Sequence, residues 1–208
     1  MGAKRVVVYI DGFNLYYGMR SKGWHRYNWL NVQLLAQNLL KPGQALVGTK
    51  YFTSRVSSTP RDPHKNRRQS TYLEALGTLP DVRIFFGHYL ENTVTCFRCG
   101  AEWPMPEEKM TDVNMAVEMM LDAFQDRWDT ALLVSGDSDL TAPIQRIRSL
   151  FTGKRIVVAF PPDRTSVQLR KVAHAYLTIG RKKLADSQFP DTVRKADGYT
   201  LTRPEEWR

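Results

Sequence analysis

The stretch VVVYIDGFNLYYG, residues 6–18, decides the fold. Its first half is a continuous run of apolar, β-branched and aromatic residues, the composition of a strand covered on both faces. The run stops on Asp11, and Gly12 and Asn14 follow closely. TALLVSGDSDL, residues 130–140, repeats the pattern: an apolar run ends, and Asp137 and Asp139 come next. Strands that run apolar and then stop on carboxylates mark the edge of a sheet where a site is built.

Working outward, further strand segments fall at Ala45–Arg55, Val82–Leu90, Arg155–Phe160 and Ala175–Ile179, beside Arg5–Ile10 and Ala131–Ser135. Helix-like segments lie between them, among them YNWLNVQLLAQNLL, TDVNMAVEMMLDAF and LTAPIQRIRSLF. This alternation implies βαβ units, hence an α/β fold with a mainly parallel central sheet. The expected strand order is about 3-2-1-4-5. Residues 1–180 read as one domain. Residues 91–108, ENTVTCFRCGAEWPMPEE, interrupt the alternation and read as an inserted cysteine-containing loop. Residues 181–208 are polar and read as an irregular tail.

The chain has 208 residues, 42% hydrophobic and 25% charged, an ordinary globular composition. No apolar stretch is long enough to cross a bilayer, so no membrane partner is expected. The opening MGAKRVVVYID runs straight into a strand and an acid, which is not the pattern of a secretory signal. A cytoplasmic location is the expectation. Lys plus Arg number 30 against 21 acids, a net charge of +9. That surplus favours a polyanionic partner such as nucleic acid.

In an open parallel sheet, ligands bind beyond the carboxyl ends of the strands, where strand order reverses. For the order 3-2-1-4-5 this point lies between strands one and four, so Asp11 meets Asp137 and Asp139. Asp112, in the first turn of the helix arriving from strand three, starts on the same edge. Singly, each acid has a plainer reading as a turn or helix-cap residue. Together, four carboxylates in one cleft repel, and a hard divalent cation with oxygen ligands resolves the conflict. Mg²⁺ or Mn²⁺ is therefore expected at Asp11, Asp112, Asp137 and Asp139, with a phosphodiester as substrate.

The motifs YIDGFNLY, EEKMTDVNMAVEMMLDA and LLVSGDSDLTAPI, in this order, resemble those of the NYN branch of the PIN-like ribonucleases, in particular its LabA-like group. The resemblance covers roughly residues 5–180. It implies a PIN-like three-layer α/β/α fold and metal-dependent endoribonuclease chemistry. It assigns metal-binding, catalytic roles to Asp11, Asp112, Asp137 and Asp139, and supporting roles to Asn14 and Ser135. It also offers Glu118, six residues beyond Asp112 and off its helical face.

PRDPHKNRRQS, residues 60–70, concentrates Arg61, Lys65, Arg67 and Arg68 at a helix start. With Lys109 these form a candidate track for RNA phosphates; a solvated helix face is the plainer reading. Tyr16, Tyr17, Trp24, Tyr27 and Trp29 follow the first motif and offer stacking surfaces for bases, although aromatics at such spacing are more often core. Cys96 and Cys99 form a CxxC pair. A structural Zn²⁺ there wants two more ligands, from His64, His88 or a second chain in a homodimer; free thiols are the plainer reading. The rival to an RNA-cleaving enzyme is a catalytically weak RNA-binding adaptor of the same fold.

Overall fold

The structure is a computed structural model that describes residues 2–60 and 62–208, except for the side chains at 88–92 and 103–109. Strand β1 (Lys4–Asp11) leads into helices α1 (Gly12–Ser21) and α2 (Val32–Leu39), then β2 (Gln44–Thr53), α3 (Lys65–Leu76) and β3 (Val82–Phe86). A hairpin, β4 (His88–Thr95) and β5 (Glu102–Lys109), precedes α4 (Thr111–Phe124). The second half alternates β6 (Thr130–Val134), α5 (Thr141–Leu150), β7 (Arg155–Phe160), α6 (Val167–Val172) and β8 (Ala175–Thr178). Helix α7 (Arg181–Ala185) and a small hairpin of β9 (Thr192–Arg194) and β10 (Thr200–Thr202) follow.

The central sheet has six strands in the order β3-β2-β1-β6-β7-β8, and every pairing in it is parallel. With the β4–β5 hairpin counted apart, this is the expected 3-2-1-4-5 with a sixth strand added at the far edge. β1 alternates its side chains between two cores. Val6, Val8 and Ile10 face α1, α2 and α3. Val7 and Tyr9 face α4, α5 and α6. Both faces of β1 are therefore dry, which is why its sequence shows no polar alternation. The result is the three-layer α/β/α arrangement.

Two expectations need correcting. The insertion is not a loop but an antiparallel hairpin running from His88 to Lys109, and the third strand correspondingly stops at Phe86. Gly100, at φ 69, lets the turn close between Cys96 and Ala101. The tail is not irregular. It returns across the first core, where Leu184, Val193, Leu201 and Trp207 are buried. Trp207 lies 6.5 Å from Trp29 and 6.0 Å from Tyr72, ring centre to ring centre. Arg68 fastens the tail through an ion pair to Glu206, and Arg203, paired with Asp191 within the tail, donates to the Arg26 carbonyl. Its polar composition hid a few apolar anchors spaced widely along it.

Candidate active site

Asp11 ends β1 and caps α1, its Oδ1 accepting from the Asn14 backbone N–H at 2.9 Å. Its other oxygen accepts from Ser135 Oγ at 3.0 Å. Ser135 Oγ in turn accepts from the Asp137 N–H at 3.0 Å. Asn14 Oδ1 accepts from the Gly136 N–H at 3.0 Å. Asp137 caps the short 3₁₀ turn that follows, accepting from the Asp139 N–H at 2.9 Å. The loops after β1 and β6, adjacent strands at the reversal of strand order, are thus laced together by two hydrogen bonds, Ser135 to Asp11 and Gly136 to Asn14. Asp11 is only 5% exposed and Ser135 is fully buried, so these contacts are shielded from competing water.

Two glycines permit the approach. A Cβ on Gly12 would lie 2.5 Å from Tyr51 Oη and 2.8 Å from the Phe52 carbonyl. A Cβ on Gly136 would lie 3.0 Å from Arg164, in the loop after β7.

Asp11, Asp112, Asp137 and Asp139 line one cleft of about 580 Å³, together with Asn14, Phe13, Tyr17 and Arg164. Met110 introduces α4 with a left-handed backbone, φ 75. That conformation is unfavourable for a residue with a Cβ, and its position beside Asp112 is typical of local strain held at a site.

The donor set is all oxygen, which suits a hard divalent ion. Among the described residues, however, no three His, Cys, Asp or Glu side chains stand close enough to hold one ion between them. The cleft therefore fits an ion taken by one or two carboxylates and otherwise by water and substrate phosphate, the usual Mg²⁺ arrangement, and not a closed protein cage.

Other candidates fall elsewhere. Glu118 does not line the cleft; it pairs with Lys50 Nζ at 2.6 Å, alongside Asp122 at the same distance. The off-face spacing from Asp112 is the reason. Lys50 is buried, and Asp122 also accepts the Tyr9 hydroxyl at 2.6 Å. Burial, then the Asp122 carboxylate, hold the Tyr9 phenol far above its ordinary range. Arg68 is held by Asp62 at 2.5 Å and Glu206 at 2.8 Å, so its charge is largely committed. Lys65 is half-buried and Arg67 is exposed. Arg61 and the Lys109 and His88 side chains lie outside the described residues.

Of the aromatics, Trp29 and Tyr27 are core, whereas Tyr17 is exposed at the cleft. Cys96 and Cys99 sit at the hairpin turn as free thiols. The backbone N–H groups of Arg98 and Cys99 pull the Cys96 thiol below its ordinary range. His64 does not complete a zinc site with them. Arg164 escaped the sequence reading; its only signal was its place just beyond the carboxyl end of the fifth strand segment.

An all-parallel, three-layer sheet with an acid-lined cleft at the reversal of strand order defines a PIN-like domain. The NYN domain family matches residues 5–180, and the chain belongs to that family. It is 29% identical over 241 residues to the 6-hydroxy-3-succinoylpyridine 3-monooxygenase HspA of Pseudomonas putida (strain DSM 28022 / S16), covering 98% of this chain and 75% of that protein. A protein of unknown function from Vibrio parahaemolyticus RIMD 2210633 shares the fold, with a TM-score of 0.58 over 90% of this chain and 97% of that one, at 21% identity. No helix among the described residues is long and apolar enough to cross a membrane.

Proposed function

We propose that the protein is a metal-dependent endoribonuclease that hydrolyses RNA phosphodiester bonds in the cytoplasm. The observation that carries the reading is the single cleft lined by Asp11, Asp112, Asp137, Asp139 and Arg164, in a chain of net charge +9. A bound Mg²⁺ or Mn²⁺ supplies Lewis-acid activation of water and neutralises charge on the reacting phosphate. Asp11 and Asp137 hold that ion. Ser135 and Asn14 fix the Asp11 carboxylate so that it need not reorganise as charge develops. Asp112 and Asp139 orient the surrounding water, and Arg164 meets a phosphate oxygen of the strand. Lys65 and Arg67, at the start of α3, add sequence-independent attraction for the backbone.

The test is cleavage of labelled RNA with Mg²⁺ or Mn²⁺ against EDTA. Asp137→Asn keeps the shape and removes the ligand charge; the rate should fall about 10²–10³-fold, as for loss of other transition-state contacts, with RNA affinity little changed. Equal cleavage by the two proteins assigns the activity to a contaminant.

The basic start of α3 attracts RNA whether or not the cleft holds an ion, which favours a second reading, an RNA-binding adaptor with little turnover. RNA binding without metal-stimulated cleavage decides for it. The likeness to a hydroxypyridine monooxygenase adds a control. Oxygen uptake with 6-hydroxy-3-succinoylpyridine and an added reductant, in the absence of both RNA cleavage and RNA binding, decides against both RNA readings.

A further inference from the structure

The hairpin of β4 and β5 is a sheet of its own, its strands pairing only with each other. Its turn reads CFRCG, residues 96–100. Two backbone bonds close it: the Cys96 N–H donates to the Ala101 carbonyl at 2.8 Å, and the Gly100 N–H donates to the Cys96 carbonyl at 2.9 Å. A chain folded this tightly brings Cys99 back against Cys96. The Cys99 thiol donates to the Cys96 sulfur, which also accepts the backbone N–H groups of Arg98 and Cys99. Three donors around one sulfur are the surroundings of a thiolate more than of a thiol. Cys99 is exposed and Cys96 half-buried, so both remain within reach of a ligand. Neither belongs to a core or lines the acid cleft.

We propose that this turn is half of a structural zinc site, completed by the same turn of a second copy, so that one Zn²⁺ joins two chains through four thiolates. Ligand type argues for the metal. CxxC is the spacing of structural zinc ligands, and thiolates select ions such as Zn²⁺ over the hard Mg²⁺. Ligand count argues for the second copy. A structural Zn²⁺ takes four ligands, and among the described residues no third His, Cys, Asp or Glu side chain stands with these two. The chain has no other cysteine. His88 starts β4 opposite Lys109, at the other end of the hairpin, and the eight residues of the strand span roughly 26 Å. Two more thiolates therefore come from another chain, in the isologous manner of a two-fold pair. Charge fits as well. Zn²⁺ held by four thiolates carries two excess negative charges, and Arg98, exposed between the cysteines, brings one positive charge from each copy. Phe97 is fully exposed beside it, and joined turns give its ring an apolar neighbour.

Zinc titration of the full chain, reduced and stripped of metal, tests this alongside light scattering. Zinc bound by the wild type beyond that bound by Cys96→Ser should amount to one ion per two chains. The molar mass should double as that ion binds and return when a zinc-selective chelator is added. Co²⁺ in place of Zn²⁺ should show sulfur-to-metal charge transfer and the visible bands of a tetrahedral site, both lost in Cys96→Ser and in Cys99→Ser. Each serine variant should melt at the wild-type temperature in the absence of metal, since the turn lies outside both cores. Arg98→Glu should lower zinc affinity about 10–100-fold, the scale of other outer partners of metal ligands. Iodoacetamide should alkylate Cys96 in the metal-free chain, and zinc should protect it. One ion per chain at unchanged mass overturns the proposal, as does zinc uptake equal to that of Cys96→Ser. Zinc-dependent doubling that persists in Cys96→Ser places the junction elsewhere and overturns it too.

Discussion

Ser135 shows how much one small side chain decides. Its hydroxyl donates to Asp11 and accepts from the Asp137 N–H, so a single oxygen fixes two of the acids that line the cleft. Ser135→Ala leaves the fold's packing nearly untouched but frees both. Outer partners of metal ligands are typically worth 10–100-fold in metal affinity. The Mg²⁺ concentration for half-maximal cleavage should therefore rise about 10–100-fold, while the rate at saturating Mg²⁺ falls less; an unchanged metal requirement would detach Ser135 from the site. At this scale the sequence was informative wherever an apolar run stopped abruptly, as at Asp11 and Asp137. It was silent on Arg164, which adjoins no motif, and it offered Glu118 for a site that Glu118 does not reach. Helical phase separates Glu118 from Asp112, and its partner Lys50 sits on a different strand.

Among the elements, α3 is the least comfortable. Lys65, Arg67 and Arg68 crowd its first turn, where the helix dipole already presents positive potential. Arg68 is compensated by Asp62 and Glu206, which is why its guanidinium holds its proton more firmly despite burial. The two arginines, indistinguishable in the sequence, should therefore behave differently. Arg67→Glu should weaken RNA binding and lower the slope of log affinity against log salt by about one unit, since a phosphate contact is lost, without lowering the melting temperature. Arg68→Glu should lower the melting temperature, because it sets three acids together. Equal effects of the two on the salt slope would refute the assignment. The same contrast explains why the basic cluster was legible and its division of labour was not: partners as distant as Glu206 leave no local pattern.

For the whole molecule, the two cores on either side of β1 are unequal in how they are closed. The core under α4, α5 and α6 is built from neighbouring βα units and was readable from periodicity. The other is completed by residues beyond 180, and Trp207 is the last large side chain in it. Trp207→Ala should destabilise the protein by about 3 kcal/mol, the lower end for removal of a buried aromatic, measured as a shift in urea midpoint at constant slope. A loss under about 0.5 kcal/mol would mean the tail is ornamental.

The hairpin between β3 and α4 pairs only with itself, and it carries both thiols of the chain at its turn. The Cys96 thiol, with backbone N–H groups stabilising its anion, is the faster nucleophile of the two toward maleimides or iodoacetamide. Chemistry thus singles out one spot, away from both cores, where a fluorophore or spin label can be attached without engineering. The second strand of that hairpin runs to Lys109, two residues before α4 and three before Asp112. The eight residues of that strand, roughly 26 Å at strand rise, separate the turn from the cleft wall, so a label there serves as a ruler to the cleft without occupying it.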